Sequence, residues 1–179
     1  VVFAPADPPA ATVDAGAGTW NWDRDVSGQS DGTYYYRFTV TDLAGNETQV
    51  TKTANLDTGA PTVGFSATSP SIDFDGAANR ATANGEMSLS GTVVEDQGIA
   101  NLATLAYRLA SDPWSPLSLD GTFTISGIDT TGYPDATDLT VDVRAVDRNG
   151  NETIESFALA VDQATDKPVI TVTAPADGD

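Results

Sequence analysis

Apolar residues recur at every second position along several stretches of the chain. Tyr34, Tyr36, Phe38 and Val40 form one such run, Leu139, Val141, Val143 and Ala145 a second, and Phe157, Leu159 and Val161 a third. Period two marks a half-buried strand, because successive side chains of a strand point to opposite faces. Extended over the chain, the pattern predicts strands near 62–67, 87–94, 104–109, 122–125, 139–146 and 155–161, with a short one near 116–119. Turn residues separate these runs at the spacing of a β-sandwich. No segment carries a sustained helical period.

The pattern occurs twice. Asp42-Leu43-Ala44-Gly45-Asn46-Glu47-Thr48 matches Asp147-Arg148-Asn149-Gly150-Asn151-Glu152-Thr153 at an offset of 105 residues, with five of the seven positions identical. The alternating runs upstream align at the same offset, as do Asp57 and Asp162. Gly18-Thr19-Trp20-Asn21-Trp22 meets Gly121-Thr122-Phe123-Thr124-Ile125, and Pro61-Thr62-Val63 meets Pro168-Val169-Ile170. A period near one hundred residues is too long for a solenoid and fits a sandwich module. The phase of the repeat gives three pieces: 1–57 as the latter part of one module, 58–164 as a complete module, and 165–179 as the first strand of another. Such a chain is expected to be an excerpt of a longer tandem array. The alternative is a subunit completed by a neighbour's strand.

Composition narrows the function. There are 26 acidic residues against 8 basic ones, a net charge of -18, and most of the acid is Asp. Asp favours turns and Glu favours helices, so the acid is expected between strands. This charge repels nucleic acid and anionic membrane surfaces, and neither is expected as a partner. It favours hard cations such as calcium, which take oxygen ligands; it also keeps a β-rich chain soluble and guards its edges. Cysteine and histidine are absent. That removes disulfides, thiolate and histidine-based catalysis, and the usual zinc sites. No apolar run approaches the ~18 residues that span a bilayer. No signal peptide stands at Val1, so an export signal is expected outside this segment.

At this point the motifs resemble a known family. Gly18-Thr19-Trp20-x-Trp22, Asp31-Gly32-Thr33-Tyr34, Thr41-Asp42-Leu43-Ala44-Gly45-Asn46 and Leu56-Asp57-Thr58-x-x-Pro61 are similar to the bacterial immunoglobulin-like repeats of large cell-surface adhesins and exported multidomain proteins. The second unit carries the same order through Gly121-Thr122-Phe123, Asp147-x-x-Gly150-Asn151 and Asp162. The resemblance implies an all-β chain of tandem immunoglobulin-like (fibronectin III-like) β-sandwich modules, extracellular, on a cell surface or secreted. It implies a structural or adhesive spacer, often stiffened by calcium. Partners would be neighbouring modules of the same or an adjacent chain, and a surface glycan or protein. An accessory glycan- or protein-binding module and a subunit of an extracellular filament or sheath are the alternatives.

The candidate calcium ligands are Asp42 and Asn46, Asp147 and Asn151, with Asp57, Asp162, Glu95 and Asp96. Calcium takes six to eight oxygens, so one loop supplies too few and modules would pool carboxylates. The same Asp-x-x-Gly-Asn residues also explain themselves as a hairpin turn: Asp accepts turn amides, while Gly and Asn tolerate positive φ. Asp73-Phe74-Asp75-Gly76, within an insert between the first two strands of the complete module, lacks the later ligands of a calcium loop and is expected as an ordinary turn. Asn46-Glu47-Thr48 and Asn151-Glu152-Thr153 fit the glycosylation pattern, but the turn motif accounts for them. Trp20 and Trp22 point to one face; their counterparts Phe123 and Ile125 are plain apolar residues, so a core role is expected over a sugar platform. No enzymatic constellation emerges beyond loop carboxylates, and no enzyme is expected.

Overall fold

The computed structural model describes residues 12–14 and 19–164, and contacts divide the chain into two units, Val1–Gly59 and Ala60–Asp179. The expected strand in 165–179, and the alignment of Val1-Val2-Phe3, lie outside the described residues. Within them the secondary structure is β throughout, apart from one 3-10 turn at Ile99–Asn101.

Unit 1 holds β1 (Thr12–Asp14), β2 (Thr19–Asn21), β3 (Gly32–Thr41) and β4 (Glu47–Leu56). β1 pairs with β2, and β3 with β4 in an unbroken antiparallel ladder from Gly32–Leu56 to Thr41–Glu47. Partners in register share a face, so Tyr34, Tyr36 and Phe38 lie beside Ala54, Lys52 and Val50. Trp20 and Trp22 pack onto that face: Trp20 sits 4.7 Å from Phe38, and Trp22 meets Tyr36 and Phe38 edge-on at 5.2 and 5.6 Å. The core role expected of the two tryptophans is thus partial, with Trp20 still 49% exposed.

Unit 2 is a sandwich of two sheets. One has the order β10–β7–β5, formed by β5 (Thr62–Ser69), β7 (Glu86–Val94) and β10 (Thr122–Asp129). The other has the order β6–β12–β11–β8–β9, formed by β6 (Arg80–Ala83), β8 (Leu102–Leu109), β9 (Ser115–Pro116), β11 (Asp138–Asp147) and β12 (Glu152–Val161). The alternation seen in the sequence becomes the interior. Val63, Phe65, Met87, Leu89, Val93, Phe123 and Ile125 face Leu105, Leu139, Val141, Val143, Phe157, Leu159 and Val161, all of them buried. Side chains of this size are worth roughly 1.5–3 kcal/mol each when removed from water. Phe157 anchors the centre, 4.9 Å from Phe65 and stacked at 5.8 Å on Phe74.

Two local features shape the interior of the three-stranded sheet. β10 bulges between Ile125 and Ile128, and the extra residue, with Gly127 at φ 72°, returns Ile128 to the interior. In β7, Gly91 leaves the space that the Phe123 ring fills, edge-on to Phe65 at 6.1 Å.

The insert between the first two predicted strands contains β6, which the sequence reading did not identify. The chain leaves the three-stranded sheet at Ser69, crosses over, and pairs in parallel with β12 through Arg80–Ala158, Ala81–Leu159, Thr82–Ala160 and Ala83–Val161. The predicted strand at 116–119 proves to be the two-residue β9, paired with β8.

Candidate functional site

The repeated Asp-x-x-Gly-Asn segment forms the same hairpin loop in both units. In unit 1, one oxygen of Asp42 accepts the N–H of Ala44 at 2.8 Å and of Asn46 at 2.9 Å, and the other accepts the Asn46 side-chain amide at 2.8 Å. In unit 2, Asp147 takes the corresponding N–H groups of Asn149 and Asn151 at 2.8 Å each and the Asn151 amide at 2.7 Å. Gly45 and Gly150 carry φ of 87° and 93°, the left-handed conformation that closes the turn. In each loop the aspartate therefore already accepts three donors of its own turn, while in unit 2 Arg148 donates its N–H to the Asn101 carbonyl at 2.8 Å and its Nε to the Ala100 carbonyl at 3.0 Å.

Hydrogen bonding holds both aspartates ionised. The Asn46 side chain, then its backbone amide, place the Asp42 carboxyl below the usual aspartate range, against an opposing effect of burial and with lesser help from Ala44 and Gly45. For Asp147 burial is the largest single influence and pushes upward, but the amides of Asn151, Asn149 and Gly150 together outweigh it. The loops differ in setting. Asp42 is exposed, whereas Asp147 is 2% exposed.

The entry end of unit 2 gathers acid around Asp147. β11 ends there, and β7 ends just before Glu95, which is 6% exposed; carboxylate oxygens of Asp147 and Glu95 lie within 4.8 Å of each other. Asn101 donates its side-chain amide to Glu95 at 3.5 Å, and the Gln97 N–H reaches the same oxygen at 3.4 Å. Asp96 follows on the exposed side and Asn151 borders the pair through Asp147. Two buried carboxylates this close repel unless a cation or a proton compensates them. Oxygen donors of this kind fit a hard cation, with water completing the six to eight ligands that calcium takes.

Asp162 lies at the opposite end of unit 2, just past β12, with its N–H donated to the Ala83 carbonyl at 2.9 Å. In unit 1, Asp57 follows β4 at one end of the β3–β4 ladder, while Asp42 and Asn46 occupy the loop at the other end, roughly 30 Å away for ten paired residues. Asp57 and Asp42 do not share a site. Asp57 accepts the Gly59 N–H at 3.2 Å, and one of its oxygens lies within 4.8 Å of an oxygen of Asp31.

Asp31 belongs to the Asp31-Gly32-Thr33-Tyr34 motif and is not among the candidate ligands above. It accepts both the N–H and the hydroxyl of Thr58, at 3.0 and 2.8 Å. Asp135 makes the backbone half of that contact in unit 2, taking the Gln163 N–H at 2.7 Å. Each carboxylate fastens the second residue past the last described strand of its unit. The signal was the recurrence of an Asp before the strand, at offset 104 rather than 105.

Asp73 and Asp75 belong to the crossover. Asp75 caps the N–H groups of Ala77 and Ala78 at 3.0 Å, and Asp73 accepts the Thr82 hydroxyl at 3.3 Å. Trp114 lies over the outer face of the five-stranded sheet, with the Arg108 guanidinium 4.6 Å and the Arg144 guanidinium 5.9 Å from its ring centre. No helix among the described residues is long and apolar enough to cross a membrane. No protein-family model matches this chain, and no curated protein matches it.

Proposed function

We propose that this chain is a stretch of tandem immunoglobulin-like modules serving as a structural and adhesive spacer in an extracellular bacterial protein, without enzymatic activity. The observation that carries the reading is the pair of loops at Asp42–Asn46 and Asp147–Asn151, which share one set of hydrogen bonds. Two copies of one β module in series extend a chain without building a catalytic cleft, and the acid-rich composition suits a β-rich protein bathed in solvent. An antibody against residues 60–164 should label intact cells that produce the protein. Labelling only after permeabilisation would overturn the extracellular placement.

Calcium is proposed as a stiffening ligand of the complete module, held by Glu95 and Asp147 with Asp96 and Asn151 beside them. In unit 1, Asp31 and Asp57 supply the comparable oxygens. The cation would neutralise the buried carboxylate pair and tie the end of β7 to the end of β11. Thermal melting with calcium and with EGTA tests this: the midpoint should rise with calcium, and Glu95→Gln should abolish the rise. An equal midpoint in both conditions removes the ion from the proposal.

One observation favours a second reading, recognition of a glycan. Trp20 is half exposed beside Phe38, and an exposed ring can stack on a sugar. Glycan-array binding that disappears in Trp20→Ala would support it; no binding on the array would leave the spacer alone.

A further inference from the structure

We propose that Asn149 is a self-modification site, where the backbone nitrogen of Gly150 converts the asparagine side chain to a carboxylate. Asparagine followed by glycine is the pair most open to this reaction, because glycine has no Cβ to crowd its nitrogen as it meets the preceding side chain. The chain holds two such pairs, Asn84-Gly85 and Asn149-Gly150. Their surroundings separate them. Asn149 and Gly150 are both exposed in the loop between β11 and β12. The Asn149 side-chain amide has no hydrogen-bond partner among the described residues, and the Gly150 N–H reaches the Asp147 carbonyl by a long bond of 3.4 Å. Gly150 stands at φ 93°, with open space where a Cβ would lie. The stem beneath is fixed: Asp147 holds the Asn149 N–H at 2.8 Å, and Arg148 is anchored on Asn101. A fixed stem with a free side chain keeps the reacting groups together.

Asn84-Gly85 joins β6 to β7 and is half-buried. The Ala83 carbonyl before it accepts the Asp162 N–H at 2.9 Å. The Gly85 carbonyl accepts the N–H and the hydroxyl of buried Thr130, at 3.0 and 2.7 Å. Gly85 must leave Thr130 before its nitrogen can turn onto Asn84. In unit 1 the position of Asn149 is held by Ala44, which has no amide to lose.

The reaction balances with water as its co-reactant. The Gly150 nitrogen gives its proton to hydroxide and attacks the side-chain carbonyl carbon of Asn149. A C–N bond closes a five-membered imide, and the side-chain nitrogen leaves as ammonia, taking a proton from water. Water then opens the ring. Cleavage at the side-chain carbonyl gives aspartate; cleavage at the main-chain carbonyl gives isoaspartate, whose backbone is longer by one carbon. Nothing is oxidised or reduced. Either product sets a new carboxylate two residues from Asp147, which already lies within 4.8 Å of Glu95, and like charges this close repel. The longer backbone also displaces Asn151, whose N–H and side-chain amide hold Asp147. Unit 2 thus carries a clock that loosens the β11–β12 loop with age.

This is independent of the spacer reading. The full chain is incubated at alkaline and at mildly acidic pH, and its proteolytic peptides are followed by mass spectrometry. The peptide with Asn149 should gain the mass of an amide exchanged for a carboxyl, faster at alkaline pH. It should do so about tenfold faster than the peptide with Asn84, the effect of a hydrogen bond that Gly85 must break. The thermal midpoint of the aged protein should fall, whereas Asn149→Ala, matching the residue of unit 1, should keep its midpoint through the same incubation. Conversion at Asn84 as fast as at Asn149 overturns the site, as does an unchanged Asn149 once a free peptide of residues 146–153 has reacted. A midpoint that falls equally in Asn149→Ala overturns the clock.

Discussion

Asn151 gives two hydrogen bonds to Asp147, one from its backbone at 2.8 Å and one from its side-chain amide at 2.7 Å. With the Asn149 N–H also on that carboxylate, a single buried side chain satisfies three donors of a tight loop. Asp147→Ala should therefore cost about 1–3 kcal/mol, the range for leaving buried donors without their acceptor. Urea denaturation measures it. Asp42→Ala breaks the same bonds where water can replace them, and should cost less.

Acid should weaken the complete module through the same group. Asp147 has its folded pKa lowered, by amide hydrogen bonds that overcome burial, so its contribution is fully present above the unfolded value of about 3.9 and is lost as pH falls through the folded one. Stability followed by urea melts at pH 7, 5 and 3 should hold between the first two and drop at the third. Asp147→Asn should begin lower and lose less over the last interval. An identical acid profile in both proteins would assign the drop to other carboxylates.

Gly91 should not tolerate a methyl group. A Cβ there would fall closer than any real contact to the Gly64 carbonyl on one side and the Phe123 ring on the other, and the first of these is backbone. Gly91→Ala should destabilise by about 3 kcal/mol, toward the upper end for overpacking. Gly64→Ala meets only the Thr92 hydroxyl at 3.7 Å and should cost far less. Thermal melts of the two variants side by side test the contrast.

The outer face of the five-stranded sheet carries a row in register, Arg108–Asp142–Ser156. Arg108 donates Nε to Asp142 at 2.8 Å, Ser156 donates its hydroxyl to the other oxygen at 2.7 Å, and Trp114 covers the guanidinium. The Asp142 side chain is 12% exposed and that of Arg108 36%. Asp142→Ala should cost about 1–2 kcal/mol, less than a fully buried pair because Arg108 still reaches water. A double-mutant cycle with Ser156→Ala should show coupling; additive effects would mean the row is three independent contacts.

The strands of unit 2 could be read from alternation because their inward residues are large, and Leu139, Val141, Val143, Phe157 and Leu159 announce a buried face. β6 could not. Its inward residues are Ala81 and Ala83, its length is four, and its pairing is parallel and remote, so no local pattern specifies it. The loops at Asp42 and Asp147 were legible as turns because their bonds are local. That Asp147 is buried beside Glu95 while Asp42 is exposed was not, since burial depends on strands fifty residues away. Lys52 shows the same limit: it stands where Phe157 stands one repeat later, and the offset alone reveals nothing of how a cation changes that face.

The aspartate-centred bonds that close the loops joining β3 to β4 and β11 to β12 all lie within five residues. Such a segment needs no agreement from the rest of its module. Neighbouring copies can exchange core residues, as Lys52 and Phe157 have, and rework whole crossovers while the turn goes on closing unaided. Kinship between modules is therefore most readable at the one place where each copy answers only to itself.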